Sequence, residues 1–250
     1  MTGSLKARLA AGETLIGTFL TLGSPQAAES LGLAGFDWLL VDLEHGGGDE
    51  ALLLGQLLGC AAAGVPALVR VESDARSRAA RALDLGAEGL MCPQVNSVEA
   101  ARAWADALHY GTGRGIALFH RGARYGTDPD AFKHARERTL GIAQIESPEA
   151  VDAVEEIAAV DGIDVLFVGP SDLSFSMGKY RRFDDPEFRD AISRVVEAAD
   201  AAGKAAGMFC ATVEDVARAR ADGFRLLAVG TDGGFMMQAA KATLDAARAG

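Results

Sequence analysis

A short phrase that recurs four times along the chain is the feature that most constrains its fold. Each copy opens with a glycine suited to ending a helix in the left-handed conformation, continues through apolar residues and stops at a polar or turn residue. The copies are AGFDWLLVD at 34–42, LGAEGLMCP at 85–93, VDGIDVLFVGP at 160–170 and ADGFRLLAVGTD at 221–232. Unbroken apolar runs of this length are typical of strands buried on both faces, and therefore of a parallel sheet.

Four more strands and a set of helix starts fill the gaps between these copies. The further strands are predicted at GTFLTL (17–22), ALVRV (67–71), LGIAQIE (140–146) and AAGMFC (205–210). Helices are predicted to begin at a cap before proline or at a capping box, namely Ser24-Pro25, Ser147-Pro148, Asn96 with Glu99, and Thr212 with Asp215.

Eight strands, each followed by a helix, in 250 residues predict a single (β/α)₈ TIM barrel domain spanning 1–250. A doubly wound open sheet is the alternative. Segment 110–139 is rich in glycine and arginine and is expected to be a long loop with a functional or lid-like role.

Composition excludes several classes of partner. A formal net charge of −11 argues against nucleic acid and against an anionic membrane surface. There is no long uncharged apolar run, and the N-terminus lacks the core of a signal peptide, so a cytoplasmic protein is expected. The three cysteines, Cys60, Cys92 and Cys210, are too widely separated for a disulfide framework or a CxxC zinc site.

Ionisable residues concentrate where the predicted strands end, which is where a parallel barrel carries its active site. These strand-end residues are Asp42, Glu44, His45, Arg70, Cys92, Gln144, Glu146, Gly169 to Asp172, Cys210 and Gly230 to Asp232. Glu146 and Asp172 follow neighbouring strands and could share Mg²⁺ or Mn²⁺, hard ions that prefer oxygen ligands. Either carboxylate could instead be an ordinary helix-start or turn residue.

The other strand-end residues also have a chemical and a structural interpretation. His45, in a glycine-rich loop, could move a proton or be a plain loop histidine. Arg70 closes an apolar strand and could bind substrate or pair with Asp42 or Glu44. Gln144 shares a strand face with Glu146 and could contact a ligand or satisfy backbone groups.

Backbone N–H groups in two turns could bind anions. VGPSDLS could hold a substrate carboxylate, and VGTDGG could do the same or bind phosphate. The five lysines are Lys6, Lys133, Lys179, Lys204 and Lys241, and none falls at a strand end that faces the expected barrel mouth. A Schiff-base aldolase is therefore disfavoured.

Taken together, FDWLLVDLEH, LVRV, LDLGAEGLMCP, AQIESPEA and FVGPSDLS resemble the HpcH/HpaI aldolases. These are metal-dependent class II pyruvate aldolases, related to the 4-hydroxy-2-oxo-heptane-1,7-dioate, 2-keto-3-deoxy-rhamnonate and 5-keto-4-deoxy-glucarate aldolases. The resemblance implies that Glu146 and Asp172 bind a divalent metal, with Mg²⁺ expected and Mn²⁺ or Co²⁺ possible. It also implies that His45 is the acid–base residue, acting through a metal-bound water.

The same resemblance implies the substrate contacts and the assembly. Arg70 would hold the keto oxygen, Gln144 would contact pyruvate, and Gly169, Pro170 and Ser171 would receive its carboxylate. Asp42 and Asp84 would be supporting carboxylates. The family assembles as a hexamer, a trimer of dimers with exchanged C-terminal helices.

Asp84 and segment 110–139 are the two parts of this assignment that depart from a simple single-chain site. Asp84 ends the helix after the third strand, so a role near His45 requires a subunit interface. The Leu118-Phe119-His120 part of segment 110–139 departs from the family in a loop expected to select the aldehyde.

The expected reaction is reversible cleavage and formation of 4-hydroxy-2-oxoacids, with pyruvate or hydroxypyruvate as donor and an aldehyde as acceptor. Two alternatives use a related enolate chemistry: an acyl-CoA lyase, for which Arg121, Arg124, Arg136 and Arg138 could bind phosphates, and an oxaloacetate decarboxylase. A non-catalytic phosphate-binding barrel is a third alternative.

Overall fold

Eight parallel strands close into a barrel in the computed structural model, which describes residues 3–249. The strands pair in chain order, and the last one returns to pair with the first. They are β1 Leu15–Leu20, β2 Trp38–Asp42, β3 Ala67–Arg70, β4 Gly89–Cys92, β5 Leu140–Ile145, β6 Val165–Val168, β7 Ala205–Cys210 and β8 Leu226–Thr231. The predicted TIM barrel is confirmed, and the open doubly wound sheet is excluded.

Helices surround this barrel and cover its ends. They are α1 Leu5–Ala10, α2 Pro25–Leu33, α3 Glu50–Ala63, α4 Arg76–Asp84, α5 Val98–Leu108, α6 Ala131–Arg138, α7 Pro148–Asp152, α8 Val154–Ala158, α9 Pro170–Ser176, α10 Pro186–Ala201, α11 Val213–Ala221 and α12 Asp232–Ala249, with a 3₁₀ helix at Arg121–Gly126. Within residues 3–249 no helix is long and apolar enough to cross a membrane.

The core has two layers because each strand is buried on both faces. The inner layer fills the barrel with side chains such as Phe19, Trp38 and Phe167, and α1 adds Leu5 and Leu9 to it. The outer layer lies between strands and helices and includes the fully buried Trp104 of α5. A filled interior leaves only the barrel ends open to ligands.

Local structure follows the sequence signals closely, with two corrections. The repeated glycines Gly35, Gly86, Gly162 and Gly223 have φ of 98°, 103°, 100° and 101°, as helix-ending glycines should. The Thr212–Asp215 capping box is present. The box predicted at Asn96 is wrong, because Ser97 Oγ accepts from the Ala100 N–H at 3.2 Å and caps α5.

The first strand begins and ends two residues earlier than predicted. The N–H of Thr21 donates to Asp232 Oδ1 at 2.8 Å, and that of Leu22 donates to Asp232 Oδ2 at 3.2 Å. These two residues therefore leave the strand ladder and form a turn at the barrel mouth.

Segment 110–139 lies between α5 and β5, so it is at the N-terminal end of its own barrel. It is not one long loop, because it contains the 3₁₀ helix and α6. Within one chain the segment therefore does not border the barrel mouth, and its expected role in selecting the aldehyde stays a prediction.

Candidate active site at the barrel mouth

A cavity of about 280 Å³ opens at the C-terminal ends of the strands. Most of the predicted site residues line it, namely Asp42, His45, Arg70, Gln144, Gly169, Pro170, Ser171 and Asp172. Glu146 adjoins it through a 2.6 Å hydrogen bond that its Oε2 accepts from Gln144 Nε2. These strand-end residues therefore lie together around one cavity, whereas Cys92, Cys210, Gly230 and Asp232 do not line it, and the catalytic roles stay predictions.

Arg70 is held between two carboxylates at this mouth. Its Nε and Nη2 donate to Asp42 Oδ1 and Oδ2 at 2.9 and 2.7 Å, and its Nη1 lies 3.1 Å from Glu44 Oε2. Register places Asp42 and Arg70 side by side, since they are paired residues of β2 and β3. The ion pairs fix the guanidinium, while its remaining N–H groups are free to bind a ligand.

Glu146 is a buried carboxylate that forms no ion pair with a Lys, Arg or His side chain within residues 3–249. Its Oε1 accepts from the Gln94 N–H at 2.7 Å, and the residue is 6% exposed. Burial, above all, raises the pKa of Glu146 to about 7, and the nearby charges of Asp172 and Glu44 add to the rise. Gln144 Oε1 is also buried and has no hydrogen-bond partner among the residues that the structure describes.

Asp172 lies in the first turn of α9, which begins where β6 ends. That turn leaves the N–H groups of Ser171 and Asp172 without an intrahelical acceptor. Gly169 precedes it, and a Cβ there would lie 2.7 Å from Glu146 Oε2 and 2.8 Å from Gln144 Nε2, so a larger residue would displace these two side-chain ends. The missing side chain keeps space open above Glu146.

These residues fit a hard divalent cation. The available donors are oxygens: the carboxylates of Glu146 and Asp172, and the unpartnered Gln144 Oε1 nearby. Within residues 3–249, no three His, Cys, Asp or Glu side chains cluster as a complete metal site. Two protein carboxylates with open positions are nevertheless typical of a magnesium site that shares its ion with substrate and water.

His45 stands at the rim of the cavity with its side chain 68% exposed. Asp42 Oδ1 accepts from the N–H groups of Glu44 at 3.1 Å and of His45 at 3.3 Å, which folds the loop back on the end of β2. Gly46 allows this fold, because a Cβ there would lie 2.1 Å from the Asp42 carbonyl oxygen.

Several site residues were missed in the sequence. Phe19, Phe167 and Phe209 form an aromatic wall, with ring centroids 5.4 Å apart for Phe19–Phe209 and 6.3 Å for Phe19–Phe167. Gln94 reaches Glu146 only because it adopts a φ of 52°, which is uncommon outside glycine. Its place directly after Cys92-Pro93, at a strand end, was the one available signal.

Asp84 does not join this site within its own chain. It lies at the opposite end of the barrel, where Arg114 Nη2 donates to its Oδ1 at 2.7 Å and His120 Nε2 is 3.5 Å away. The arginines considered for CoA phosphates lie at that end too. Arg121 donates to the carbonyls of Leu85 and Leu57 there, so no such patch borders the mouth of the same barrel.

Comparison with known proteins places the chain among aldolases. The family model of the HpcH/HpaI aldolase/citrate lyase family matches residues 15–239. A hydroxypyruvate/pyruvate aldolase of Paraburkholderia phytofirmans is 40% identical, over 99% of this chain and 98% of the relative. A 5-keto-4-deoxy-D-glucarate aldolase of Klebsiella pneumoniae is 37% identical, over 96% and 95%. The crystal structure of an HpcH/HpaI aldolase/citrate lyase family protein from Burkholderia cenocepacia superposes with a TM-score of 0.92 at 37% identity, covering 98% of each chain.

Proposed function

The chain belongs to the HpcH/HpaI aldolase/citrate lyase family and is a carbon–carbon lyase of the pyruvate aldolase type, and we propose how its site works. It cleaves and forms 4-hydroxy-2-oxoacids, with pyruvate or hydroxypyruvate as the donor and an aldehyde as the acceptor. The observation that carries this proposal is the surplus of carboxylate around Arg70. Asp42 and Glu44 hold that one guanidinium in ion pairs, Glu146 lies close enough to interact with its charge, and within residues 3–249 Glu146 forms no ion pair.

Glu146 and Asp172 would hold Mg²⁺, and Mn²⁺ or Co²⁺ would suit the same oxygen donors. When bound, such an ion supplies Lewis-acid stabilisation of the negative charge that develops on the keto oxygen of the donor.

The protein binds the keto acid through groups at the cavity floor. The N–H groups of Ser171 and Asp172, at the start of α9, receive the carboxylate. A free N–H of Arg70 donates to the keto oxygen, and the amide of Gln144 contacts the same molecule. Because Asp42 and Glu44 already fix Arg70, its donor is in place before charge develops.

His45 moves the proton. In cleavage it accepts the proton of the C4 hydroxyl while the O–H electrons form the aldehyde carbonyl. The C3–C4 bonding pair passes to the keto-acid fragment as an enolate, and the same proton returns to C3 to give pyruvate. Addition runs the steps in reverse. The aromatic wall of Phe19, Phe167 and Phe209 lines the same cavity and keeps water from the reacting carbon.

A homo-oligomer completes the proposal, with a hexamer formed as a trimer of dimers. Helix α12 supports this, because Asp232 is its one buried residue and it exposes Met236, Met237 and Leu244. Exchange of this helix between subunits would cover these side chains. In such an assembly Asp84, which lies at the end of its barrel opposite the mouth (the far end), would lie beside the mouth of a neighbouring subunit. A cytoplasmic location suits the three free cysteines.

The test is an aldol assay with pyruvate and with hydroxypyruvate against a panel of aldehydes, read by NMR of the product. We expect a 4-hydroxy-2-oxoacid in the presence of Mg²⁺, Mn²⁺ or Co²⁺, loss of the product with a chelator and recovery when the ion is restored. Absence of product for every donor, acceptor and ion would contradict the proposal.

A further inference from the structure

Glu44 occupies a position between the two side chains that do the proposed chemistry. Its Oε2 lies 3.1 Å from Arg70 Nη1 and 3.9 Å from His45 Nε2, so a single oxygen faces both side chains. Its side chain is 18% exposed, whereas that of His45 is 68% exposed. The better-buried carboxylate therefore faces the more exposed ring.

Neutralising Arg70 does not require Glu44. Asp42 already binds the guanidinium through two parallel hydrogen bonds of 2.9 and 2.7 Å, which is the strongest geometry for such a pair. A second, partly buried carboxylate is costly, and burial is the main cause that raises the pKa of Glu44. If Glu44 only neutralised Arg70, its desolvation would not be offset by any further interaction.

The position of His45 explains why a second carboxylate is present beside Arg70. Within one chain, over residues 3–249, its ring has one polar partner, Glu44, whereas Asp84, the other carboxylate proposed to serve this mouth, belongs to a neighbouring subunit. At 3.9 Å the two groups are too far apart for a hydrogen bond but close enough for an ion pair once the ring is protonated. Glu44 thus faces the imidazolium that forms when His45 accepts a proton.

We propose that Glu44 is a positioning residue, which orients the His45 imidazole at the mouth and stabilises it when it carries the proton. The local fold enforces this arrangement. Asp42 Oδ1 accepts from the N–H groups of both Glu44 and His45, so the two side chains leave one rigid turn. A base oriented by a third group is a general arrangement in proton transfer. The inference rests on the proposed aldolase function.

A double-mutant cycle tests it, with Glu44→Gln, His45→Ala and the two combined, in the intact metal-loaded protein. Glu44→Gln retains an oxygen that can accept from Arg70 but loses the charge that faces His45. We expect kcat for cleavage to fall about tenfold, with KM for the keto acid within about twofold, because Asp42 still holds Arg70. In the His45→Ala background, the same change should lower kcat less than about twofold.

The matched control is Glu72→Gln. Glu72 is a nearby carboxylate that lies 2.7 Å from Arg78 Nε and takes part in neither the Arg70 nor the His45 contact. It should leave kcat unchanged. An equal fall caused by Glu44→Gln in both backgrounds would show that Glu44 does not act through His45 and would overturn the inference. A wild-type protein with no aldol activity would instead refute the function on which it rests.

A crystal structure of Glu44→Gln gives a readout that needs no activity. We expect the His45 ring to occupy one conformer in the wild type and several in the variant. One unchanged conformer in both would contradict the positioning role.

Discussion

Both ends of the barrel carry an aspartate, an arginine and a histidine side by side, but the charges around these two trios differ. At the mouth, Asp42, Arg70 and His45 lie together, and Asp42 has a side chain only 1% exposed. At the far end, Arg114 and His120 contact Asp84, whose side chain is 36% exposed. An arginine–carboxylate pair beside a histidine is therefore not enough to identify a catalytic site in this protein.

The surrounding charge is what separates the two ends. Carboxylates outnumber cations at the mouth, where Glu44, Glu146 and Asp172 add to Asp42. A cavity of about 360 Å³ at the far end has the reverse balance, with Arg114, Arg124 and Arg138 around Glu88. The excess negative charge at the mouth favours binding of a cation. At the far end, arginine side chains already supply the positive charge.

Removing the proposed metal ligand should have the largest effect. Glu146→Gln keeps the shape of the side chain but removes its charge, so we expect kcat to fall by about 10³-fold and Mg²⁺ binding to weaken. Kinetics and calorimetric titration with Mg²⁺ measure the two effects. Glu149→Gln, an exposed change three residues on, is the control and should match wild type. Full Mg²⁺ affinity in Glu146→Gln would contradict the assignment.

Truncating the proton-transfer residue or the keto-oxygen donor should lower turnover by about 10²-fold or more, with both proteins still folded. His45→Ala should leave the Tm unchanged because that side chain is largely exposed. Arg70→Ala should lower the Tm as well, because Asp42 stays buried without its partner. Near-wild-type aldol activity in both variants would rule out these roles.

The pKa of Glu146 predicts how the metal-free protein responds to pH. Since folding raises this pKa from 4.5 to about 7, the group does not affect stability at low pH, destabilises the fold progressively as pH rises from about 4.5 to about 7, and adds no further loss above that. Chemical denaturation in a chelator should show wild type losing on the order of 2 kcal/mol relative to Glu146→Gln between about pH 5 and pH 8. Mg²⁺ should remove most of this loss. A constant difference between the two proteins would contradict it.

The smallest effect is expected at the far end. Asp84→Asn should lower kcat about tenfold if Asp84 serves a neighbouring subunit, and co-expression with His45→Ala should restore activity by pairing intact residues across an interface. Arg138→Gln, at the same end, is the control. Unchanged kcat in Asp84→Asn would mean that Asp84 serves only its own chain.

The sequence predicted the barrel well because buried parallel strands leave a strong local pattern. Asp42, Gln144 and Gly169 were found for the same reason, since each lies at or just after the end of such a strand. Their catalytic roles stay predictions. The features that the sequence did not predict depend on the three-dimensional placement of the chain.

Two examples show why. The Gln94 N–H reaches Glu146 in a left-handed backbone conformation, which a glutamine does not indicate in the sequence. Segment 110–139 was predicted to be a long loop, but it follows α5 and contains a 3₁₀ helix and α6, and the boundaries of these elements have no strong sequence signal.

Proton exchange at the methyl group of pyruvate tests the central claim most directly, because it needs only the mouth residues and no aldehyde. In D₂O with Mg²⁺, wild type should replace the methyl protons by deuterium, as followed by NMR, at a rate far above that of Mg²⁺ alone. A chelator should abolish the exchange, and Glu146→Gln should not catalyse it. Exchange that persists in the chelator, or that no divalent ion supports, would contradict the account.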